Sequence, residues 1–226
     1  MFKVKRPKVA PAGLIKKYDS EDVVLKLRDI FYGKCYLCES KWPSAPEVEH
    51  FVPQSLDPKR LATEWDNLFY ACRRCNSIKT AKDAKLLDCT KADVFSAIIC
   101  ELPTRKSKPV VVEVNQGFES PEAENTAALL RDCFNKDNTG YRKITKAQLR
   151  NELVRYCTKF MKYNDILLDY EAGRKEKRYA VDRLERMVQP DFPYHAFWRR
   201  MFMDDPDLMQ LYPHLIDPEE DLEKVG

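Results

Sequence analysis

Long apolar runs are absent from these 226 residues, and no stretch approaches the roughly 20 apolar residues that a membrane-spanning helix needs. The basic first eight residues are not followed by the apolar segment of a secretory signal. Internal repeats and low-complexity tracts are also lacking. We therefore expect a cytoplasmic globular protein without a membrane association. In that reducing compartment the eight cysteines are expected to be thiols or metal ligands rather than disulfides.

A strong excess of one charge sign is lacking too, since the net charge is only +3, but the charges are unevenly distributed. Basic residues cluster in the first seventeen residues, after the second cysteine pair and at 105–108, whereas acidic residues dominate from Asp204 onward. Basic clusters suit a polyanion, because binding to phosphates releases counterions. Taken alone, however, such clusters are typical of ordinary solvated surface. Charge therefore leaves nucleic-acid binding open.

The order of the expected elements indicates an α+β, mainly helical protein. We expect a basic N-terminal arm and helix over residues 1–33, a cysteine-containing finger over 34–86, and a mainly helical, partner-binding C-terminal lobe over 87–226. Ser20 caps the first helix and Gly33 ends it. The further predicted elements are strands at 48–52, 67–71 and 109–114 and helices from Cys75 and at 92–99, 122–134, 145–170, 175–188 and 194–203.

Two C-x-x-C pairs, Cys35 with Cys38 and Cys72 with Cys75, are the strongest single pattern. Each pair can direct two thiolates at one metal ion, and four thiolates form the closed tetrahedral shell that structural zinc prefers. A redox pair and a chance arrangement are the alternatives. The remaining cysteines show no pairing pattern and are expected to be buried thiols: Cys89, Cys100, Cys133 and Cys157.

The segment between the pairs is longer than a simple zinc ribbon requires, and it contains polar residues of distinct chemistry. It contains Glu49-His50-Phe51-Val52-Pro53 and Trp65-Asp66-Asn67-Leu68, and Asn76-Ser77-Ile78-Lys79 follows the last cysteine. A neutral imidazole can take a proton from water near pH 7. Carboxylate and amide oxygens bind hard divalent ions. These groups suit the hydrolysis of a phosphodiester bond.

This pattern resembles the HNH endonuclease family, whose fold is a ββα-metal finger. In members with two such cysteine pairs, a zinc ion braces the finger. The resemblance implies that His50 is the general base and that Asn67 braces the loop between the strands. It also implies that Glu49 and Asn76 bind a catalytic Mg²⁺ or Mn²⁺ ion, in addition to the structural Zn²⁺ on the cysteines. Neighbours on a regular strand point to opposite faces, so Glu49 and His50 share a site only if the strand twists or ends there.

Nucleic acid is the substrate that the resemblance implies, with DNA favoured and RNA left open. Lys79 lies one helical turn after Asn76 and is expected to contact a phosphate, as are Arg73 and Arg74. His195 and His214 lie outside any comparable arrangement and are expected to be structural or surface residues.

The start of the chain and its helical second half are similar to the HNH-nuclease subunit (PtuB-like) of Septu-type anti-phage systems, which also occur beside retrons. This narrower resemblance implies a partner ATPase subunit of the ABC/SMC type (PtuA-like) and degradation of nucleic acid upon infection. The segment Tyr194–Phe202 has the aromatic residues and arginines that are typical of partner surfaces. A helix packed on its own core explains that segment equally well, and the charged segment 171–186 is typical of a solvated helix.

Two other functions stay open at this level. A zinc-dependent nucleic-acid-binding module would keep the cysteines and the basic clusters without needing His50. A scaffold subunit of an ATPase complex would keep the helical lobe with a vestigial finger. Replacement of His50 distinguishes both from a nuclease.

Overall fold

The structure is a computed structural model that describes residues 1–79, 85–103, 105 and 108–216. Its short strands form two antiparallel pairs: β1 Pro46–His50 with β2 Leu68–Cys72, and β3 Ile98–Glu101 with β4 Val111–Val114. Its helices are α1 Glu21–Ile30, α2 Pro58–Leu61, α3 Arg73–Lys79, α4 Val94–Ala97, α5 Pro121–Asn135, α6 Gly140–Leu168, α7 Arg174–Met187, α8 His195–Met203 and α9 Pro206–Leu211. The predicted α+β, mainly helical fold is confirmed.

The finger has the predicted order of strand, strand and helix. β1 pairs with β2 so that Glu49 lies opposite Phe69 and His50 opposite Leu68. β1 ends at His50, two residues earlier than expected, because the backbone of Val52 is bound by the side chain of Asn67 instead of by the other strand. α3 follows β2 directly, so the helix also begins two residues earlier than Cys75.

The first helix lies where it was predicted, but the Ser20 hydroxyl donates to Asp22 Oδ1 and makes no capping hydrogen bond to the helix backbone. α1 begins after Ser20 and ends at Ile30, and the chain then turns through Gly33 with a φ of +66°. A Cβ atom at Gly33 would lie 2.5 Å from a ring carbon of Trp42. Glycine is therefore required there both by the backbone conformation and by the space.

The N-terminal arm, predicted as an extended basic segment, is partly buried. Met1, Phe2 and Val4 are buried in the same connected core as the finger and the helical lobe. The guanidinium of Arg6 donates to the carbonyl oxygens of Trp65 and Leu68 at 3.0 and 2.7 Å. The arm is thus a structural part of the finger, because its alternating apolar residues have a core to fill.

The prediction of a helix over 92–99 is wrong for its last part, which forms the first strand of the second pair. Only Val94–Ala97 is helical, capped by the side chain of Asp93, and the chain then continues as β3. The β-branched Ile98 and Ile99 pair with Val114 and Glu113 of β4, as the β preference of such residues favours. The predicted strand around 109–114 is present as β4.

The C-terminal lobe is built from α5 to α9, with α6 packed along α7. α6 begins at Gly140 rather than at Thr145, because the hydroxyl of Thr139 accepts a hydrogen bond from the backbone N–H of Arg142 and caps the helix. Tyr194, Phe197, Trp198 and Phe202 are buried. The aromatic segment 194–202 is therefore core, not a partner surface.

Three sets of residues singled out in the sequence lie outside the described residues: Lys82, Lys106 and the acidic residues from Asp217 onward. Among the helices that the structure describes, none combines the length and the apolar character needed to cross a bilayer.

Candidate active site and zinc centre

The four cysteines of the two C-x-x-C pairs converge on one point. Their sulfur atoms all lie within 4.8 Å of one another, and the Sγ atoms of Cys38 and Cys72 are 3.8 Å apart. Four sulfurs at about 2.3 Å from a central zinc ion would be separated by about 3.8 Å. The donor set and its spacing therefore fit a structural zinc ion with a complete thiolate shell.

Each pair reaches this cluster from a different part of the finger. Cys72 is the last residue of β2 and Cys75 lies in the first turn of α3. Cys35 and Cys38 lie in a tight turn, in which the backbone N–H of Glu39 donates to the carbonyl oxygen of Cys35. A zinc ion would thus join the turn after α1 to the junction between β2 and α3.

The ring of His50 lies at the end of β1 and is half-buried. Its Nε2 lies 3.1 Å from the carbonyl oxygen of Ala62, which can only accept a hydrogen bond. We therefore assign the proton to Nε2 and the lone pair to Nδ1. The amide nitrogen of Gln54 lies 2.9 Å from Nδ1 and 2.8 Å from Nε2, so it donates to Nδ1. The ring edge also packs on Tyr18, with centroids 4.8 Å apart.

The electrostatic surroundings keep His50 neutral. Burial is the main cause that lowers the pKa of the His50 imidazole below its usual value, while the Ala62 carbonyl opposes this effect. At neutral pH the ring is therefore unprotonated at Nδ1. This is the state that a general base requires.

Asn67 lies where the resemblance expects a brace. Its Oδ1 accepts from the backbone N–H of Val52 at 2.7 Å, and its Nδ2 donates to the carbonyl oxygens of Val52 and Leu61 at 2.9 and 3.3 Å. These bonds hold the loop after β1 against the start of β2. Asn67 thereby fixes the backbone next to His50 without contacting the ring.

Glu49 points away from His50 and into the core. Its carboxylate is only 5% exposed, accepts from the hydroxyl of Tyr36 at 3.0 Å and forms an ion pair with the ammonium of Lys79. Lys79 also donates to the carbonyl oxygens of His50 and Phe51, each at 2.9 Å. Desolvation raises the pKa of Glu49, and the Lys79 charge opposes the rise. The ammonium of Lys79, expected to contact a phosphate, is buried against the strand in this arrangement.

Asn76 pairs with a different acid of the same strand. Its Nδ2 donates to Glu47 Oε2 at 2.8 Å, and Arg73 Nε donates to Glu47 Oε1 at 3.1 Å. The side chain of Arg73 is 78% exposed, so it remains accessible to a polyanion. Glu47 was not singled out in the sequence, although its position two residues before Glu49 places it on the same face of β1.

Arg74, expected to bind nucleic acid, makes its hydrogen bonds within the protein. Its guanidinium donates to the carbonyl oxygens of Cys133, Lys136 and Arg142 and to the hydroxyl of Thr145, over distances of 2.7 to 3.1 Å. Its hydrogen-bonding groups are directed into the protein. Arg74 joins the finger helix α3 to the connection between α5 and α6.

The described side chains do not form the expected divalent-ion site. The carboxylate oxygens of Glu49 are hydrogen-bonded by Tyr36 and Lys79, and Asn76 is paired with Glu47. Asn76 and Lys79 lie one turn apart on α3 and face different acids of β1, so Asn76 meets Glu47 while Lys79 meets Glu49. Glu49 and Asn76 therefore do not fit a shared Mg²⁺ or Mn²⁺ ion in this arrangement.

Most of the remaining histidines and cysteines have the surroundings expected of them, but Cys157, expected to be buried, is only partly buried. Burial lowers the pKa of His195 to about 3, and its Nδ1 lies 2.8 Å from the carbonyl oxygen of Val188. His214 is exposed on the surface. Cys89 and Cys100 are buried thiols, and burial raises their pKa values to about 12 and about 11.

The structure adds two side chains around His50 that the sequence analysis missed. Gln54 follows Pro53 in the loop after β1, and an amide four residues beyond a candidate base is a signal that could have been noticed. Tyr18 comes from the segment before α1, and nothing in the sequence indicates its contact with His50.

Comparisons with known proteins agree with this geometry. Residues 35–82 match the family model of the HNH endonucleases. The Septu protein PtuB of Bacillus thuringiensis is 36% identical over 66 residues, which cover 28% of this chain. The matched region spans only a quarter, 25%, of that curated relative's length. No solved structure matches the chain. The similarity to the HNH endonuclease family is thus confined to the segment that contains the four cysteines, β1, β2 and α3.

Proposed function

We propose that this protein is an endonuclease that hydrolyses phosphodiester bonds of nucleic acid, with His50 as its general base. The observation that carries the proposal is the hydrogen bonding of the His50 ring. Nε2–H is held by the Ala62 carbonyl, and the neutral Nδ1 is left with a lone pair. A base oriented in this way within the HNH segment is equipped to activate water.

The chain's own residues account for orientation and proton transfer. The Ala62 carbonyl and the ring of Tyr18 fix the plane of the imidazole. Gln54 leaves Nδ1 when a water molecule takes its place, and Nδ1 then accepts the proton of that water. The exposed Arg73 is positioned to bind a phosphate of the substrate. DNA is the proposed substrate, and RNA is the second polymer to be assayed.

We include a requirement for Mg²⁺ or Mn²⁺ in the proposal, and only the family resemblance supports it. Such an ion would neutralise charge on the scissile phosphate. No step of the proton transfer described above depends on it. A cleavage assay with chelator, followed by addition of each ion, measures the requirement directly.

The decisive variant is His50→Ala, and His214→Ala is its matched control because His214 is an exposed histidine outside the finger. Supercoiled plasmid and single-stranded RNA are incubated with each protein, and zinc content is measured on the same samples. We expect His50→Ala to lose cleavage by at least 100-fold, with unchanged zinc, while His214→Ala cleaves like wild type. Equal cleavage by His50→Ala and wild type would refute the role of His50.

A second candidate function is a non-catalytic, zinc-dependent nucleic-acid-binding module. The observation that favours it is the carboxylate of Glu49, which is held by Lys79 and Tyr36. In that case the wild type binds an oligonucleotide duplex in a gel-shift assay but cleaves neither polymer with any divalent ion. Binding would then depend on Arg73 and would be independent of His50.

We also propose that the protein acts in anti-phage defence together with an ABC/SMC-type ATPase subunit (PtuA-like). Support comes from the similarity to the Septu protein PtuB, which is confined to 66 residues. Co-expression with the ATPase encoded beside this chain should give a stable complex. An ATPase that fails to co-purify, with both proteins folded, would contradict this part of the proposal.

A further inference from the structure

A stripe of apolar side chains runs along the exposed side of α6. Val154, Met161 and Leu168 are 44%, 53% and 36% exposed. They are seven residues apart, about two helical turns, so they lie on one line along the helix. The adjacent side of α6 is packed in the core by Leu149, Leu153, Phe160 and Leu167. The exposed line is about 21 Å long at 1.5 Å per residue.

The stripe borders a groove rather than lying on a flat surface. The connection between β3 and β4 forms the facing wall through Leu102, Pro103 and Val110, and the groove has a volume of about 390 Å³. On the α6 side, Val154 and Met161 contribute to the lining. A groove of this shape can take side chains that project from another helix, in the manner of knobs that enter holes.

Positive charges surround this groove on both sides. Arg155, Lys159 and Lys162 are exposed beside the stripe, and Arg105 and Lys108 are exposed on the β3–β4 connection. Among the exposed described residues of α6 between Val154 and Leu168, only Asp165 is acidic. The groove is thus lined mainly by apolar side chains, with Thr158 among them, and basic residues lie at its edges.

A further cation lines the groove itself. Arg150 is one of the residues around it, and no group of the described part of the chain hydrogen-bonds its buried Nη2 atom. A guanidinium with an unused donor is a natural partner for a carboxylate.

Three classes of molecule could occupy the groove: a second copy of this chain, a nucleic acid or a helix of a partner protein. The charges around the groove favour the last. A second copy of this chain would place the same cations against each other, which disfavours a dimer through this surface. Nucleic acid would be attracted by the charges but has no counterpart for the apolar side chains that line the groove. We propose that this groove binds an amphipathic helix of a partner protein, with apolar residues at heptad spacing and carboxylates on both sides.

This surface differs from the aromatic segment 194–202 considered in the sequence, which is buried. The inference does not depend on nuclease activity, since α6 supplies none of the residues around His50. Failure of the groove and failure of the catalytic proposal are therefore measured separately.

The test uses the full chain and a synthetic 21-residue peptide with leucine at the two seam positions of each heptad and glutamate at the flanking positions. A second peptide has lysine in place of every glutamate. Fluorescence anisotropy should show binding of the glutamate peptide and at least tenfold weaker binding of the lysine peptide. Met161→Glu places a charge in the groove at an already exposed position. It should lower the affinity for the glutamate peptide at least tenfold.

Ile144→Glu is the matched control, because Ile144 is an exposed apolar residue of α6, 59% exposed, outside the groove. It should leave peptide affinity unchanged, and circular dichroism should show that both variants are folded. Equal affinity for the two peptides, or equal affinity of Met161→Glu and wild type, would overturn the proposal. Displacement of the peptide by a DNA duplex would indicate a nucleic-acid surface instead. Binding that requires removal of residues 217–226 would identify the chain's own acidic end as the occupant.

Discussion

Arg73 and Arg74 are neighbours of the same chemistry, and the structure places their guanidinium groups in different surroundings. Arg74 directs its guanidinium into the protein and donates four hydrogen bonds to three carbonyl oxygens and one hydroxyl. Arg73 makes one ion pair, with Glu47, and is 78% exposed. Substitution of each by methionine keeps a long apolar side chain and removes the charge, so the two variants are matched.

The expected magnitude follows from the hydrogen bonds. A bond from a charged donor contributes about 1.5–3 kcal/mol, and the contributions at one guanidinium are not additive because the freed acceptors can bind water. We therefore expect Arg74→Met to lower the free energy of unfolding by about 2–4 kcal/mol. Arg73→Met should change it by less than about 0.5 kcal/mol, because an exposed ion pair contributes little.

Urea denaturation followed by circular dichroism, with zinc present, measures both changes. A filter-binding assay with an oligonucleotide duplex measures the second role, and Arg73→Met should weaken binding several-fold while Arg74→Met, below its unfolding range, should not. Equal losses of stability would refute the assignment of Arg74 as the connection between finger and lobe. Equal losses of affinity for the duplex would indicate that both arginines bind nucleic acid.

Three more variants test separate parts of the site. Cys35→Ser should lose zinc and unfold the finger, because metal binding there contributes folding free energy; a folded variant with one zinc ion by mass spectrometry would contradict a structural site. Gln54→Glu should raise the pKa of His50 by about one unit or more, since a carboxylate next to Nδ1 favours the imidazolium, and an unchanged NMR titration would exclude this contact. Lys79→Met leaves the Glu49 carboxylate buried without its cation, at a cost of about 3–5 kcal/mol. Because burial raises the pKa of Glu49, that loss should be smaller at pH 5 than at pH 8, and a loss independent of pH would contradict a charged Glu49.

The zinc frame could be predicted from the sequence because its information is local. Cysteine spacing places two thiolates in each turn, and the thiolate set then requires the two turns to meet. The order of strand, strand and helix follows from residues close in the chain. The end of β1 at His50 could not be located, because it depends on Asn67, which binds Val52 from fifteen residues away.

The failures in the site have a common physical cause. Sequence spacing places Glu49, Lys79 and Arg74 on the correct elements but does not tell which face of each element is buried. Glu49 and Lys79 satisfy each other in the core, and Arg74 binds carbonyl oxygens of α5 and α6 that lie some sixty residues away. Long-range partners of this kind leave no pattern near the residue itself. The burial of Phe2 in the N-terminal arm could not be predicted for the same reason, since the core around it is formed by distant residues.

The role of His50 as base is tested most directly by comparing two titrations. One is the acid limb of the cleavage rate against pH, and the other is the NMR titration of the His50 ring, with His214→Ala used for assignment. The lowered pKa of His50 predicts that both midpoints coincide and lie below 6.5, the ordinary value for histidine. A cleavage rate that stays constant while His50 becomes protonated would contradict the account.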